Sequence, residues 1–249
     1  MKLTFCEDSF VASSIKWAGQ QFELFSARAV FWREAKTLII ADAHFGKAAA
    51  FRNRGVPVPA GTTQADVDRL ATLIHDTCST RLIILGDFLH ARDGRADSTM
   101  AILSAWRQQH AALEIVLVRG NHDQHAGDPP AEWNFRCVNE PFIEDQFAFF
   151  HDPAKQESNS SRANAARGFA DSEPYSFAGH IHPCAVLHDT DGSVLRAACF
   201  FFGKRQAILP AFGCFTGTHP IRPRRGERIF AIGPDDSVIE VRAAEHAER

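Results

Sequence analysis

Eight side chains of the types that bind metal ions or carry protons follow short apolar segments of this chain. The segments are four or five residues long, rich in β-branched and aromatic residues, and suit strands buried on both faces. Ligand sites of open α/β sheets form beyond the carboxyl ends of the strands, so we expect these side chains to converge on one site. The eight residues are Asp42, His44, Asp87, Asn121, His122, His151, His180 and His182.

The residue types in this set indicate which chemistry the site would perform. Carboxylates, an amide oxygen and imidazoles suit Mn, Fe or Zn, and the lack of a thiolate in the set disfavours a structural zinc site. Eight candidates exceed the needs of one ion and suit two ions bridged by a carboxylate, about 3.5–4 Å apart. Such a pair clamps the attacking and leaving oxygens of a phosphoryl centre. The residues therefore predict a dinuclear site for phosphoester chemistry.

The elements that must position these residues alternate between strand and helix, which is typical of α/β layering. Helical spacing of apolar residues predicts a helix over 63–78, capped by Thr62 or Thr63, and a second over 97–110, with Asp97 as its N-cap. The predicted strands between them cover 37–41, 81–85, 114–118, 147–150 and 175–178.

The last part of the chain has a different pattern. After Gly192 the sequence predicts short strands, and therefore a second, β-rich sheet, at 194–202, 206–209, 228–232 and 238–241. The segment 153–174 is polar, rich in small residues and without periodicity, so we interpret it as a loop or mobile insert. The phenylalanine runs at 149–150 and 200–202 are predicted to belong to the sheet core.

Composition limits the class of protein. The chain has 249 residues, of which 45% are hydrophobic and 23% charged, which supports a sizeable core and argues against disorder. The net charge of −3 argues against a protein that coats nucleic acid. No apolar run approaches the roughly 18 residues of a membrane helix, and Glu7 and Asp8 interrupt any signal-peptide core. Six scattered cysteines without a CxxC pair fit free thiols, and we expect a cytoplasmic protein.

The motifs between Asp42 and His182 occur in an order that matches a known family. The series DAH, GD, GNHD, H and GHIH resembles the calcineurin-like metallophosphoesterases, whose pattern runs DxH, GD, GNH[D/E], a lone His and GHxH. A tetrapeptide such as GNHD arises by chance on the order of once per 10^5 positions. The resemblance implies a four-layer αββα sandwich in a single domain over residues 1–249, with a dinuclear site at the sheet edges.

The resemblance also implies a role for each motif residue. A hydroxide that bridges the two ions would attack phosphorus in line, and His122 would assist the departing oxygen, with Asp123 orienting His122. Asp87 would bridge the ions. The remaining ligands would be Asp42, His44 and His182 for the first ion, and Asn121, His151 and His180 for the second.

The context of the first motif resembles a narrower branch. The segment from Ala41 to Thr63 (ADAHFGKAAAFRNRGVPVPAGTT) is similar to the bacterial PdeM-type, ligase-associated DNA-damage-response endonucleases. This implies a manganese-dependent DNA phosphodiesterase acting on single-stranded or flapped DNA beside a repair helicase, ligase or nuclease. The second motif continues as GDFLHARDG, with His90 where phosphatase branches have an acidic residue and Arg. That departure disfavours a phosphoprotein phosphatase and is closer to SbcD-type repair nucleases.

Basic residues near the first motif are candidates for substrate binding. Lys47, Arg52 and Arg54 lie just past the first ligand loop and would grip a phosphodiester backbone, or else form a solvated helix face. His90 would contact a phosphate, or act as a capping or solvated histidine. The basic stretch at 222–225 would bind nucleic acid or form a solvated turn.

Two other functions are compatible with the sequence. The first is an enzyme for small nucleotide or lipid-precursor phosphoesters, which the net charge of −3 favours slightly. The second is a non-catalytic binding module on a decayed phosphoesterase fold. Such proteins lose ligands, whereas this sequence keeps every one of them, which disfavours the second alternative.

Overall fold

The fold is given by a computed structural model, which describes residues 10, 12–155, 174–188 and 192–241. Most of the segment 153–174, predicted to be a loop or mobile insert, lies outside these residues. No helix in the described part of the chain has the length and apolarity that crossing a bilayer requires.

The first sheet has seven strands in chain order, and its second half is parallel. The parallel register pairs Ala41 with Leu85 and Leu85 with Val118, so three carboxyl ends lie side by side. The strands are β1 (Ala12–Trp17), β2 (Gln20–Phe25), β3 (Ala29–Trp32), β4 (Thr37–Ala41), β5 (Arg81–Leu85), β6 (Glu114–Val118) and β7 (Arg136–Val138).

The second sheet has nine strands, of which β9, β10 and β13 are parallel. Its order is β14-β11-β12-β13-β10-β9-β8, and β15 pairs with β12 and β16. The strands are β8 (Phe142–Glu144), β9 (Phe147–Phe149), β10 (Tyr175–Ala178), β11 (Pro183–His188), β12 (Val194–Phe202), β13 (Gln206–Ile208), β14 (His219–Pro220), β15 (Arg228–Ile232) and β16 (Val238–Val241).

The helices begin at different caps from those predicted. Gly61, at φ 89°, precedes the second helix, so Thr62 and Thr63 already have helical geometry and do not cap it. Ala96 precedes the third helix, and Asp97 is its first residue. The helices are α1 (Lys47–Asn53), α2 (Thr62–Thr77), α3 (Asp97–Gln109) and α4 (Asn121–Ala126), with 3-10 turns at Arg92–Gly94 and Ala131–Trp133.

Two hydrophobic layers bury the strands of the first sheet on both faces. One layer joins α2 and α3 to the outer face of the sheet, where Ile40 and Ile84 point. The other fills the space between the sheets, where Ile39 and Ile83 meet a group of phenylalanines. The runs at 149–150 and 200–202 are buried, which confirms their prediction as core.

The predicted α/β sandwich is confirmed, with two large sheets packed face to face. Within the described residues, α2 and α3 form the helical layer on the first sheet. The outer face of the second sheet carries a separate small apolar cluster, which includes Cys199, Phe201 and Ile229.

The chain that follows β13 joins the two sheets at one edge. Leu209 N–H donates to the Ala178 carbonyl at the end of β10 (2.9 Å), and Phe212 N–H donates to the Ala41 carbonyl at the end of β4 (2.7 Å). Gly213 N–H then donates to the Asp42 carbonyl (3.2 Å). The carboxyl ends of β4 and β10 are therefore held together, and the residues that follow them share one edge of the sandwich.

Candidate metal centre

The seven candidate ligands gather at the edge where the strand ends meet. Donor atoms of Asp42, His44 and His182 lie within 4.8 Å of one another, and so do those of Asp87, His151 and His180. Each group draws on both sheets. The first sheet supplies Asp42, His44, Asp87 and Asn121, and the second supplies His151, His180 and His182.

Most of these residues have a positive φ angle, a backbone conformation that residues other than glycine rarely adopt. The φ angles are 52° at Asp42, 47° at His44, 52° at Asp87, 66° at His180 and 53° at His182. A positive φ is uncommon outside glycine, and such residues concentrate at functional sites. Here the left-handed residues turn the chain sharply where each strand ends, which directs neighbouring side chains into one small volume.

The glycines of the three motifs make room for the ligands. A Cβ on Gly86 would lie 2.2 Å from His151 Nδ1, and one on Gly120 would lie 2.2 Å from Asp87 Oδ1. A Cβ on Gly179 would lie 2.6 Å from Asp42 Oδ2. At each of these three positions the backbone passes so close to a candidate ligand from another strand that a larger residue would displace that ligand.

Backbone carbonyls fix the orientation of two candidate imidazoles. His151 Nδ1 donates to the Leu85 carbonyl (3.0 Å), and His182 Nδ1 donates to the Gly217 carbonyl (3.1 Å). In each neutral ring the remaining nitrogen, Nε2, is then an acceptor that faces the site. His151 Nε2 lies 2.9 Å from Asn121 Oδ1, so in the neutral ring two acceptor atoms face each other.

The carboxylate of Asp42 tests whether these residues fit a cation. Asp42 is fully buried, and its Oδ2 accepts the His180 N–H (2.8 Å). Its Oδ1 has no hydrogen-bond partner among the described residues and lies 3.5 Å from His182 Nε2. Burying an unpaired carboxylate oxygen against another acceptor is unfavourable unless a positive charge lies between them. The donor set therefore fits divalent metal ions.

Burial and charge shift the pKa values of the groups in the centre. Burial, together with Lys47 and His182, lowers the pKa of His44 to about 2, which keeps this imidazole neutral and able to bind a metal. Burial also raises the pKa of Asp87. For His151, burial would lower the pKa, but the carboxylates of Asp42 and Asp87 raise it by more.

Two further histidines lie beside the candidate ligands. His122 Nδ1 donates to the His90 carbonyl (2.6 Å), and its Nε2 lies 4.0 Å from Asp87 Oδ2. The His90 ring stacks on the His122 ring with centroids 4.8 Å apart. His90, His44 and His122 form a third group with donor atoms within 4.8 Å of one another. Burial, then the charges of His122 and Lys47, lower the pKa of His90 to about 4.

The expectation that Asp123 orients His122 is wrong. The buried Asp123 carboxylate binds the loop that carries Asp87, because its oxygens accept backbone N–H groups at 2.7 to 3.3 Å. The carbonyl of His90 holds the His122 ring instead. The donors to Asp123 are the N–H groups of Asp87, Phe88, Leu89 and Gly120.

The basic candidates divide into one residue beside the centre and two on the surface beyond it. Lys47 is half-buried, and burial lowers its pKa against the opposing effect of Asp87 and Asp42. Arg52 Nη1 donates to the Pro59 carbonyl (3.0 Å), and Arg54 Nη2 pairs with Asp93 Oδ2 (3.1 Å), both at exposed positions. The arginines of the stretch 222–225 are exposed in the connection between β14 and β15.

Sequence reasoning missed the groups that support the candidate ligands. Glu140 Oε2 accepts the N–H groups of His151 (2.9 Å) and Asp152 (3.0 Å). The carbonyls of Leu85 and Gly217 orient two histidines. Every residue has a carbonyl, so no motif marks these positions, and Glu140 stands outside the five motifs.

Comparison with known proteins identifies relatives among solved structures. No protein-family model matches the chain, and no curated protein does. The Pseudomonas putida nuclease MPE is 35% identical, and the match covers 93% of this chain and all of that one with a TM-score of 0.75. Yfce, a phosphoesterase from E. coli, is 12% identical over 82% of this chain and 97% of that one, with a TM-score of 0.39.

The likeness to the Pseudomonas putida nuclease extends over almost the whole of both chains, so the two share the complete sandwich and not a local motif. It agrees with the ordered motifs and with the gathering of their residues at one edge. The chain belongs to the calcineurin-like metallophosphoesterases and is a metal-dependent phosphoesterase.

Proposed function

We propose that this chain is a dinuclear-metal-dependent phosphodiesterase that cleaves DNA endonucleolytically. The observation that carries the proposal is the pair of three-residue groups, each with donor atoms within 4.8 Å, at one edge of the sandwich. A relative described as a nuclease, 35% identical, supports nucleic acid as the substrate.

The proposed ligands divide between two ions. Asp42, His44 and His182 would hold one ion, and Asn121, His151 and His180 the other. Asp87 would bridge them. The position of Asp87 supports this role, because its Oδ2 lies 3.7 Å from His44 Nε2 and its Oδ1 lies 3.6 Å from His151 Nε2. We propose Mn²⁺ as the native metal, with Fe or Zn as alternatives.

The two ions would neutralise the phosphate charge and provide a nucleophilic hydroxide at neutral pH. His122 would provide the proton. Its Nδ1–H is engaged by the His90 carbonyl, so the proton to be transferred is the one on Nε2. The side chain is 37% exposed, which allows a substrate to reach it. As the bond from phosphorus to the leaving oxygen breaks, that proton passes to the oxygen.

Neighbouring groups would position His122 and the substrate. The stacked ring of His90 limits the rotation of the His122 ring. Lys47 would bind a phosphate oxygen beside the ions, and Arg52 and Arg54 would contact the strand further out.

We further propose single-stranded or flapped DNA as the substrate, and a role in cytoplasmic DNA repair beside a helicase, ligase or nuclease. The support is the resemblance of the segment from Ala41 to Thr63 to ligase-associated endonucleases. Hydrolysis of small phosphoesters is the second candidate. The net charge of −3 favours it, because the protein surface outside the metal site would repel a long anionic strand.

The deciding experiment compares substrates for one preparation of the protein. Protein treated with a chelator and then loaded with Mn²⁺ is assayed on plasmid, on a single-stranded oligonucleotide and on bis-p-nitrophenyl phosphate. We expect cleavage of all three by the wild type, and loss of DNA cleavage in Asp87→Asn and His122→Ala. His75→Ala is the matched control, because His75 is exposed on α2. Turnover of the small ester without DNA cleavage at any salt concentration would establish the second candidate instead.

A further inference from the structure

The helix α1 and its C-cap residue carry two positive charges with an aromatic ring between them in the sequence. Lys47 and Phe51 lie four residues apart on the same side of α1, and Arg54, which pairs with Asp93, is the C-cap residue that follows the helix. This side is turned toward the candidate metal centre. Lys47 interacts electrostatically with Asp87 and Asp42, and the charge of Arg54 reaches His90.

The ring of Phe51 extends a row of rings that begins at His122. His122 stacks on His90 at 4.8 Å. The His90 ring then lies 6.2 Å from the Phe51 ring, at an interplanar angle of 43°. Phe51 in turn contacts Phe215 edge to face at 5.5 Å. The row therefore runs from the proposed proton donor to a pair of partly exposed phenylalanines.

These two phenylalanines are not core residues. Both are half-buried, whereas the core phenylalanines are almost completely covered. Neither belongs to the hydrophobic clusters formed by the described residues, nor to the side chains packed against them. A third apolar side chain nearby is exposed as well: Val56, whose N–H donates to the Phe51 carbonyl, is 43% exposed. The site is thus bordered by partly exposed apolar surface that the fold itself does not bury.

We infer that Phe51 and Phe215 form a stacking subsite for an unpaired nucleobase next to the cleaved phosphodiester. Lys47 and Arg54 would bind the phosphates on either side of that nucleotide. Proteins that bind single strands combine positive charge along the backbone with aromatic rings that stack the bases. Lys47 and Phe51 of α1, together with its C-cap residue Arg54, supply both the positive charge and the aromatic ring. A paired base inside a duplex cannot reach these rings, so the subsite favours single-stranded DNA.

This inference rests on the proposed cleavage of nucleic acid, and the test separates the two. Cleavage kinetics are measured on a thymidine oligonucleotide and on a strand of equal length in which every nucleotide is abasic. Stacking of one base on an aromatic side chain corresponds to roughly a 5- to 150-fold change in affinity. We expect Phe51→Ala to raise KM for the thymidine strand by about this factor, with kcat and the KM for the abasic strand unchanged.

Further variants make the test independent of one substitution. Phe215→Leu should act in the same direction, and Phe51→Trp, which keeps a stacking ring, should retain the wild-type KM. Tyr175→Leu is the matched control, because this half-buried ring lies at the amino end of β10, away from the centre. It should leave KM for both strands unchanged.

Two results would overturn the inference while leaving the proposed function intact. One is an equal rise in KM for the thymidine and abasic strands in the Phe51 and Phe215 variants, which would make the rings structural. The other is wild-type kinetics in both variants. If the wild-type protein cleaves neither strand and hydrolyses only small esters, the proposed function itself fails, and the stacking subsite fails with it.

Discussion

Replacing Asp42 by Asn should change stability in opposite directions with and without metal. Asp42 Oδ1 has no hydrogen-bond partner among the described residues and lies 3.5 Å from His182 Nε2, which is an acceptor in the neutral ring because Nδ1 donates to the Gly217 carbonyl. An asparagine that keeps its oxygen toward the His180 N–H would place its amide N–H groups at the position of Oδ1. An unfavourable approach of two acceptors then becomes a hydrogen bond.

The size of the effect follows from these contacts. Relief of an unsatisfied buried acceptor stabilises a protein by about 1–3 kcal/mol, so metal-free Asp42→Asn should be more stable than metal-free wild type. Metal at 100 times its Kd stabilises the wild type by about 2.7 kcal/mol. For a chain of this length this corresponds to a rise in Tm of roughly 5–11 °C. The variant lacks the proposed carboxylate ligand, so metal should raise its Tm much less.

The assay is thermal unfolding followed by circular dichroism, in chelator and in Mn²⁺. Asp66→Asn is the matched control, because Asp66 is also buried but pairs with Arg69 (2.8 Å) and accepts the Cys214 N–H (3.2 Å). It should lose stability in both conditions and keep the full metal-induced rise in Tm. The reasoning is refuted if Asp42→Asn is less stable than wild type in chelator, or if its Tm rises with Mn²⁺ as much as that of wild type.

Three further changes have definite expected outcomes. Gly120→Ala should weaken Mn²⁺ binding measured by calorimetry, because the added Cβ would lie 2.2 Å from Asp87 Oδ1 and displace that carboxylate. An unchanged Mn²⁺ affinity would contradict this reasoning. His122→Ala should lower kcat by about 10²- to 10⁴-fold while keeping the metal-induced rise in Tm, and a lost rise would instead make His122 a ligand. A hydrogen bond from Arg119 lowers the pKa of Asp128. The pair therefore stabilises the fold above the ordinary aspartate pKa of about 3.9, and this stabilisation is lost as pH falls through the lowered pKa. The difference in urea midpoint between wild type and Arg119→Gln should accordingly shrink from pH 6 to pH 3.

The placement of the candidate ligands was predictable because a local pattern specifies it. In β4 the apolar run is continuous, since Ile39 faces the second sheet and Ile40 faces the helices. A strand buried on both faces lies inside a layered sheet, and parallel neighbours bring their carboxyl ends to one edge. Residues such as Asp42 and Asp87, which follow such strands directly, are therefore brought together without any long-range information.

The missed features depend on contacts that side-chain types do not encode. The link from β13 to the ends of β4 and β10 consists of backbone hydrogen bonds, which any sequence can make. Asp123 follows His122 in the chain, yet its carboxylate turns to the backbone of the loop that carries Asp87, which only the packing of two strand ends reveals. The spacing of Phe51 from Lys47 is visible in the sequence, but whether its ring is covered depends on the tertiary structure.

The division of the candidate ligands between two sheets couples metal binding to sliding of one sheet against the other. Asp42 comes from the first sheet and His182 from the second, so sliding of one sheet against the other would separate these candidate ligands. Ions bound by both residues would hold the two sheets in register. Amide hydrogen exchange should therefore slow in β4 and β10 together when metal binds, although the two strands belong to different sheets.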